Sequence, residues 1–402
     1  MTAPHGTSPP EDPPPGDVPP GDVPSGAFPF DALRRRPDVE APGLVASDAA
    51  DRLLLDESAS VRAGVPAGRL VVIGDTHGAL ALAAAHDGAT DVRVHQDALT
   101  GERALAANAE RLGLAAHVRP LPLTAGLVRD ARVVLLRLPR ALDALDDIAG
   151  LVAAHAAPDV VVYAGGRVKH MSTAMNDVLR RFFGRLDVTH ARQKSRVLVA
   201  REPHDGRDPA PATGDDSVRV AGLEIDLRLR AFGGVFAGAR LDHGTRLLLA
   251  ALPDLSHLDG PLVDLACGTG AVAAALALRH PSARVHASDQ SAAAVASARE
   301  TVIANGVADR VEIVRDDALS TLADASVSFV ALNPPFHAGA AVTDRIAPRL
   351  FADAARALRP GGELWCVWNS PLGYRPVLER LVGPTRQVAR DPRFTVTVST
   401  RP

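Results

Sequence analysis

The pentapeptide Asn333-Pro334-Pro335-Phe336-His337 sets an amide, two prolines, an aromatic ring and an imidazole behind an unbroken apolar run, Ser328-Phe329-Val330-Ala331-Leu332. The run has the length and content of a buried strand, which makes the pentapeptide the strand's exit. Two consecutive prolines remove two backbone donors and restrict φ, so the chain leaves as a stiff extended turn whose carbonyls find partners outside the sheet. An Asn side-chain oxygen beside such a carbonyl offers two acceptors to a planar NH2 group, and the face of Phe336 suits a flat substrate. His337 has the chemistry of an acid or base, but its place in a loop favours a role as pocket lining. Taken alone, the pentapeptide also fits a proline-stiffened loop with a packed Phe.

Upstream lies a series of further strand ends. Pro261–Ala266 reads as a strand and runs into Asp264-Leu265-Ala266-Cys267-Gly268-Thr269-Gly270, a turn that opens a helix at Ala271–Arg279. Gly268 and Gly270 let the backbone approach a ligand closely. Asp289 ends a second strand 25 positions after Asp264, near the spacing at which a dinucleotide-type unit places its ribose-binding acid. Asp317 ends a third strand, Val311–Val314, and Asn333 a fourth. A Gly-x-Gly turn alone is weak evidence, and a single acid is usually solvated. Their succession along the edge where open α/β sheets bind ligands points to one site.

The 402 residues suffice for two domains with cores of their own. Hydrophobic content of 47% with 23% charge describes an ordinary soluble chain with no run long enough to span a bilayer, and the N-terminus has no secretory pattern, so no membrane role and a cytoplasmic location are expected. Cys267 and Cys366 are the only cysteines, far apart, which predicts no metal site and no disulfide. The net charge of −3 announces no nucleic-acid partner, so any such contact must be local. The densest basic stretch carries Arg167, Lys169, His170, Arg180, Arg181, Arg185, Arg192, Lys194 and Arg196. It fits either a solvated face or a footprint for RNA phosphates, with Lys169, Arg180 and Arg181 as candidate contacts.

Stepping from motif to motif divides the chain into a Pro-rich disordered tail at 1–43, with Pro-Pro-Gly-Asp-Val repeated at 14–18 and 19–23, a first α/β domain at 44–204, a linker at 205–217 and a second domain at 218–402. The halves look duplicated. Gly74-Asp75-Thr76-His77-Gly78-Ala79-Leu80-Ala81 aligns with Ala266-Cys267-Gly268-Thr269-Gly270-Ala271-Val272-Ala273. Thr76 and His77 replace small residues and would crowd a ligand, so the first copy is expected to be empty. The predicted fold is two tandem Rossmann-like domains, the N-terminal one degenerate, with parallel sheets covered on both faces.

The 264–270 segment resembles the first motif of class I S-adenosylmethionine methyltransferases, with Ala266 in place of the first of three alternating glycines. The resemblance implies cofactor contacts at Asp264, Ala266, Cys267, Gly268, Gly270, Asp289 (ribose), Asp317 (adenine amino group) and Asn333. It makes Asn333, Pro334, Pro335 and Phe336 the catalytic segment. Gly234-Val235-Phe236, Leu241-Asp242-His243-Gly244-Thr245, Asn333–His337 and Arg393-Phe394 narrow the likeness to ribosomal RNA guanine-N2 methyltransferases with an inactive N-terminal copy, large-subunit type favoured over small-subunit. That family implies ribosomal RNA or a ribosomal subunit as partner, Phe236 and His337 as substrate contacts, an RNA-holding first domain and a monomer. Two other readings remain open at this level: methylation of adenine N6 or a glutamine amide, and a non-catalytic RNA-binding assembly factor.

Overall fold

The structure, a computed structural model, describes residues 26–335 and 340–402, the side chains of 340–344 excepted. Phe336, His337 and the tandem Pro-Pro-Gly-Asp-Val repeat lie outside the described residues. The first sheet comprises β1 (Leu70–Ile73), β2 (Val92–His95), β3 (Val118–Pro120), β4 (Val133–Arg137), β5 (Val161–Arg167), β6 (Phe183–Val188) and β7 (Ser195–Pro203), in the order 3-2-1-4-5-7-6. A hairpin of β8 (Ala212–Val220) and β9 (Leu223–Ala231) follows. The second sheet is built from β10 (Leu262–Leu265), β11 (Val285–Asp289), β12 (Val311–Arg315), β13 (Val327–Leu332), β14 (Leu358–Asn369), β15 (Thr385–Arg390) and β16 (Phe394–Thr400), in the order 12-11-10-13-14-16-15. The two orders are the same once the strands are matched, so the duplication holds at the level of topology.

Each sheet is buried on both faces, which is why its central strands read as continuous apolar runs. Val71 and Ile73 of β1 face one core while Leu70 and Val72 face the other. In β10, Leu262 and Asp264 share a face by the two-residue period; a carboxylate thus stands where β1 has Val72. The sheets are mixed rather than parallel: β7 and β16 run antiparallel to β5 and β14, and β6 and β15 pair antiparallel with them. Strand β6 falls inside the stretch read from sequence as a basic run, and β7 starts at its end.

Two boundaries differ from the sequence expectation. Residues 26–43 are not a detached tail: Phe28 and Phe30 stack edge to face at 4.9 Å, and Leu33 is buried against the first domain. The linker of 205–217 is shorter, because residues 212–217 already belong to β8. Asp215 and Asp216 look like turn residues, yet the hairpin partner supplies their ladder, and Arg246 pairs with Asp216 at 2.7 Å. The hairpin seats its β9 edge on the helix Ala292–Ala304. Asn305 Oδ1, Thr301 Oγ1 and Ser297 Oγ, spaced by four, accept from the backbone N–H groups of Arg228, Arg230 and Phe232.

The two domains meet through matching segments. Ala98, beyond β2, bridges antiparallel to Ser291, beyond β11. Leu99 N donates to Gln290 O and Ala292 N to Asp97 O, both near 3 Å. Strand register equates Gln96 with Asp289, so these bonds link equivalent positions in both directions, the signature of an approximate two-fold axis. Asp97 Oδ1 also accepts from Ser291 Oγ and Ala293 N, extending the cap of the helix that starts beside Asp289.

Candidate active site

At the C-terminal ends of β10, β11, β12, β13 and β14 lies a cavity of about 750 Å³, walled on one side by Asp97, Ala98 and Thr100 of the first domain and by Asp38 and Val39 of the N-terminal segment. The turn after β10 forms its floor. Ala266 adopts φ 58°, a left-handed conformation costing roughly 1–2 kcal/mol for a residue with a Cβ. Gly268 has φ 53°, and a Cβ there would meet no atom within 4 Å, so the backbone presents a bare surface to the cavity. Gly270 has a different task. A Cβ on it would come within 2.9 Å of Ala298 Cβ, and the residue does not border the cavity. Its missing side chain therefore serves the packing of two helices.

Three carboxylates face this floor. Asp264 is buried, its Oδ2 accepts from Ala273 N at 2.9 Å, and burial pushes its pKa up to about 8. Asp289 accepts from Gly268 N at 3.0 Å and Ser291 N at 2.9 Å, and burial, outweighing these bonds, raises its pKa. Of the two acids after β12, Asp316 is committed to the turn, accepting from Asp317 N, Thr321 N and Thr321 Oγ1. Asp317 borders the cavity and is paired with Arg349, whose other donor reaches Pro37 O of the N-terminal segment. Cys267 borders the same space with its thiol pKa pushed up by burial.

Asn333 is oriented by residues the sequence did not single out as a site. Its Nδ2 donates to Thr245 Oγ1 at 2.9 Å and approaches Asp242 Oδ1 at 3.4 Å. A carboxylate can only accept, so the NH2 must face Asp242 and the amide oxygen is turned away from it. Asp242 is itself held as the N-cap of the helix His243–Ala251, accepting from Gly244 N and Thr245 N. The visible signal was an Asp before a helix with Thr three residues on. Pro334 is buried and Pro335 exposed, and both border the cavity. Phe236 stands on its rim, 58% exposed.

The first copy places other groups at the equivalent positions. Arg137 follows Leu136 as Asn333 follows Leu332, and it pairs with Asp48 and Asp51 at 3.0 Å each. Asp75, in the place of Cys267, accepts from Leu80 N and Ala81 N, and burial lifts its pKa to about 6. His77 is buried and bonds Asp38 across 3.1 Å. Charged and bulky side chains thus stand where the second copy has its open floor. Breaking this cluster leaves two acids poorly compensated, so Arg137→Ala is expected to destabilise the protein by about 3 kcal/mol, read as a lower denaturation midpoint. No change would make the cluster dispensable.

The basic stretch is unevenly neutralised. Arg180 pairs with Asp177 and Arg181 with Asp146, while Arg192 pairs with Glu57. Around Lys169 the balance is positive. Slight desolvation and the charges of Arg140, Lys169 and Arg167 hold the His170 pKa below its usual range. Among the described residues no cluster of three or more His, Cys, Asp or Glu could hold a metal, and no helix is long and apolar enough to cross a membrane.

Comparison with known proteins agrees with this geometry. Residues 26–204 match the RLMG N-terminal domain family and residues 226–398 the Methyltransferase small domain family. A Streptomyces avermitilis protein named Ribosomal RNA large subunit methyltransferase G is 38% identical, over 91% of this chain and 95% of its own length. Its namesake in Pseudomonas aeruginosa is 37% identical over 90% of this chain and 96% of its own. Among solved structures, the T. thermophilus 16S rRNA N2 G1207 methyltransferase in complex with AdoMet and guanosine aligns with a TM-score of 0.70 at 22% identity, covering 90% of this chain and 97% of that one, so the two-domain fold is shared. The chain belongs to the ribosomal RNA large subunit methyltransferase G family.

Proposed function

We propose that this protein transfers a methyl group from S-adenosylmethionine to the exocyclic N2 amine of a guanine in large-subunit ribosomal RNA. The observation that carries the reading is the pinned amide of Asn333, whose NH2 is consumed by Thr245 and Asp242 and whose oxygen is left to accept. Family membership supports ribosomal RNA as substrate and the methyl donor as cofactor. The choice of guanine N2 rests on the likeness of the 234–236, 241–245 and 333–337 segments to that class of enzyme.

The floor fits the cofactor: the open face of Gly268 admits its backbone-hugging part, Asp289 has acceptor capacity beyond its two backbone donors, and Asp317 lies at the adjoining strand end. When bound, the cofactor supplies an electrophilic methyl on a sulfonium. An aromatic amine is a poor nucleophile because its lone pair is delocalised into the ring. Asn333 Oδ1 and the Pro334 carbonyl each accept one amino proton, which raises electron density on nitrogen and fixes its direction. No strong general base is needed, since the amine acidifies as it is alkylated. Phe336 and His337 keep their proposed roles as base platform and pocket lining, outside the described residues. The first domain holds RNA through Lys169 with Arg140 and His170, while Arg167, Arg180 and Arg181, already paired, contribute less. The joint at Ala98 and Ser291 satisfies within one chain what two subunits would otherwise share, which supports a monomer, and a ribosomal RNA substrate supports a cytoplasmic location.

Nucleoside mass spectrometry of ribosomal RNA from a deletion strain tests the reading. Loss of one N2-methylguanosine is expected, and an unchanged level would overturn it. A pH dependence follows from Asp264. Its folded pKa of about 8 lies above the unfolded value of 3.8, so the free protein holds a proton there and loses that stabilisation as pH rises through about 8. A bound cation favours the carboxylate and expels the proton. Cofactor affinity is therefore expected to rise between about pH 6 and 8, by up to about tenfold per unit for one proton, and Asp264→Asn to flatten the profile in calorimetry. A flat wild-type profile would contradict this assignment.

A further inference from the structure

The cavity is acidic within and cationic at its rim. Asp38, Asp97, Asp242, Asp289 and Asp317 all border it, a wall that repels a polyanion. Three arginines border it as well, and they differ in partnership. Arg349 is committed to Asp317 and Pro37 O. Among the described residues the guanidinium groups of Arg240 and Arg393 make no ion pair or hydrogen bond with the protein, and both side chains are exposed. They stand on two loops that the structure ties together. His243 Nε2 lies 2.6 Å from Asp391 Oδ2, and its ring packs 5.8 Å from that of Phe394, so the loop carrying Phe236 and Arg240 is held against the turn carrying Arg393.

We infer that Arg240 and Arg393 form a phosphate grip that holds the backbone of the RNA strand on either side of the nucleotide whose base enters the cavity. The assignment rests on the nucleic-acid reading above and extends it to residues that reading does not use. A nucleotide offers two chemically different ends to this opening. Its base is neutral and can pass an acidic wall, whereas its phosphates are anions that such a wall excludes. Two unpaired guanidiniums at the rim, each able to fork onto a phosphate, reward only the orientation with the base inside and the backbone outside. Phe236, 58% exposed, borders the same mouth. The electrostatic pattern thus selects a base within a strand over a free nucleoside, which has no phosphates for the rim to hold.

The test is binding of unmodified large-subunit ribosomal RNA transcript to the full chain by filter retention, from 50 to 200 mM salt (roughly the range in which phosphate contacts are read). Arg240→Ala and Arg393→Ala are each expected to weaken binding about three- to tenfold and to lower the slope of log K against log salt by about 1, the double variant by about 2. Arg→Lys variants, which keep the charge, should retain most of the slope, and S-adenosylmethionine affinity should be unchanged in every variant, showing an intact fold. Wild-type affinity and slope in the double variant would overturn the grip while leaving the methyltransferase reading in place. A wild-type protein that neither binds nor methylates the transcript would bring down the ribosomal RNA reading, and the grip with it.

Discussion

Asn333→Ala is expected to lower kcat by about 10²- to 10³-fold, the usual cost of removing one preorganised hydrogen-bonding group aimed at a reacting atom, with at most a few-fold change in cofactor affinity. The variant loses the acceptor that draws an amino proton away from the nucleophilic nitrogen. It also leaves Thr245 and Asp242 without the amide they orient. Asn333→Asp separates the two effects, because it keeps size and acceptor capacity but sets a second carboxylate beside Asp242. Like charges at that distance cannot both ionise readily, so one pKa rises and the side chain is repelled from its seat. The aspartate variant should therefore be nearly as impaired as the alanine variant at neutral pH, and recover in part as pH falls. Single-turnover kinetics with ribosomal RNA and separate calorimetry with cofactor measure both quantities. Wild-type turnover in the alanine variant would remove Asn333 from the chemistry.

Asp289→Ala should act on the cofactor instead, raising its Kd by about 10²-fold or more, equivalent to the roughly 3 kcal/mol carried by charged hydrogen bonds to a bound ligand. The side chain has two duties in the structure. It accepts from Gly268 N and Ser291 N, tying the glycine turn to the next helix, and its remaining lone pairs face the cavity. Both backbone donors lie beside open space where water can replace the carboxylate, so a fall in stability smaller than the fall in affinity is expected. Asp289→Asn should retain one backbone contact and show an intermediate Kd. A variant that binds cofactor normally would mean that the acid only shapes the turn.

Much of this site is local in sequence. The glycine turn, the acid ending β11, the acids following β12 and the Asn-Pro-Pro exit each lie at the end of an apolar run, so a short window contains the whole signal. The duplication was equally visible, because the first copy keeps Gly74, Gly78 and the following alanines. Where a role depended on what stands opposite, the window was too narrow. Gly268 and Gly270 look alike in sequence, yet Ala298, 28 positions on, makes the second a packing glycine.

The residue types by themselves determined that a planar amine could be held at Asn333 and that a cofactor could lie across Gly268, because backbone reach and hydrogen-bonding capacity are properties of the local chain. Only the tertiary structure decided which way the Asn333 amide points, since its partners Asp242 and Thr245 lie 91 and 88 positions away and meet it through packing of separate elements. Only the fold closes the cavity with Asp38, Val39 and Asp97 from outside the second domain and replaces Asn333 by an ion-paired Arg137 in the first. Charge compensation and burial are set by neighbours in space, and periodicity along the chain carries no record of them.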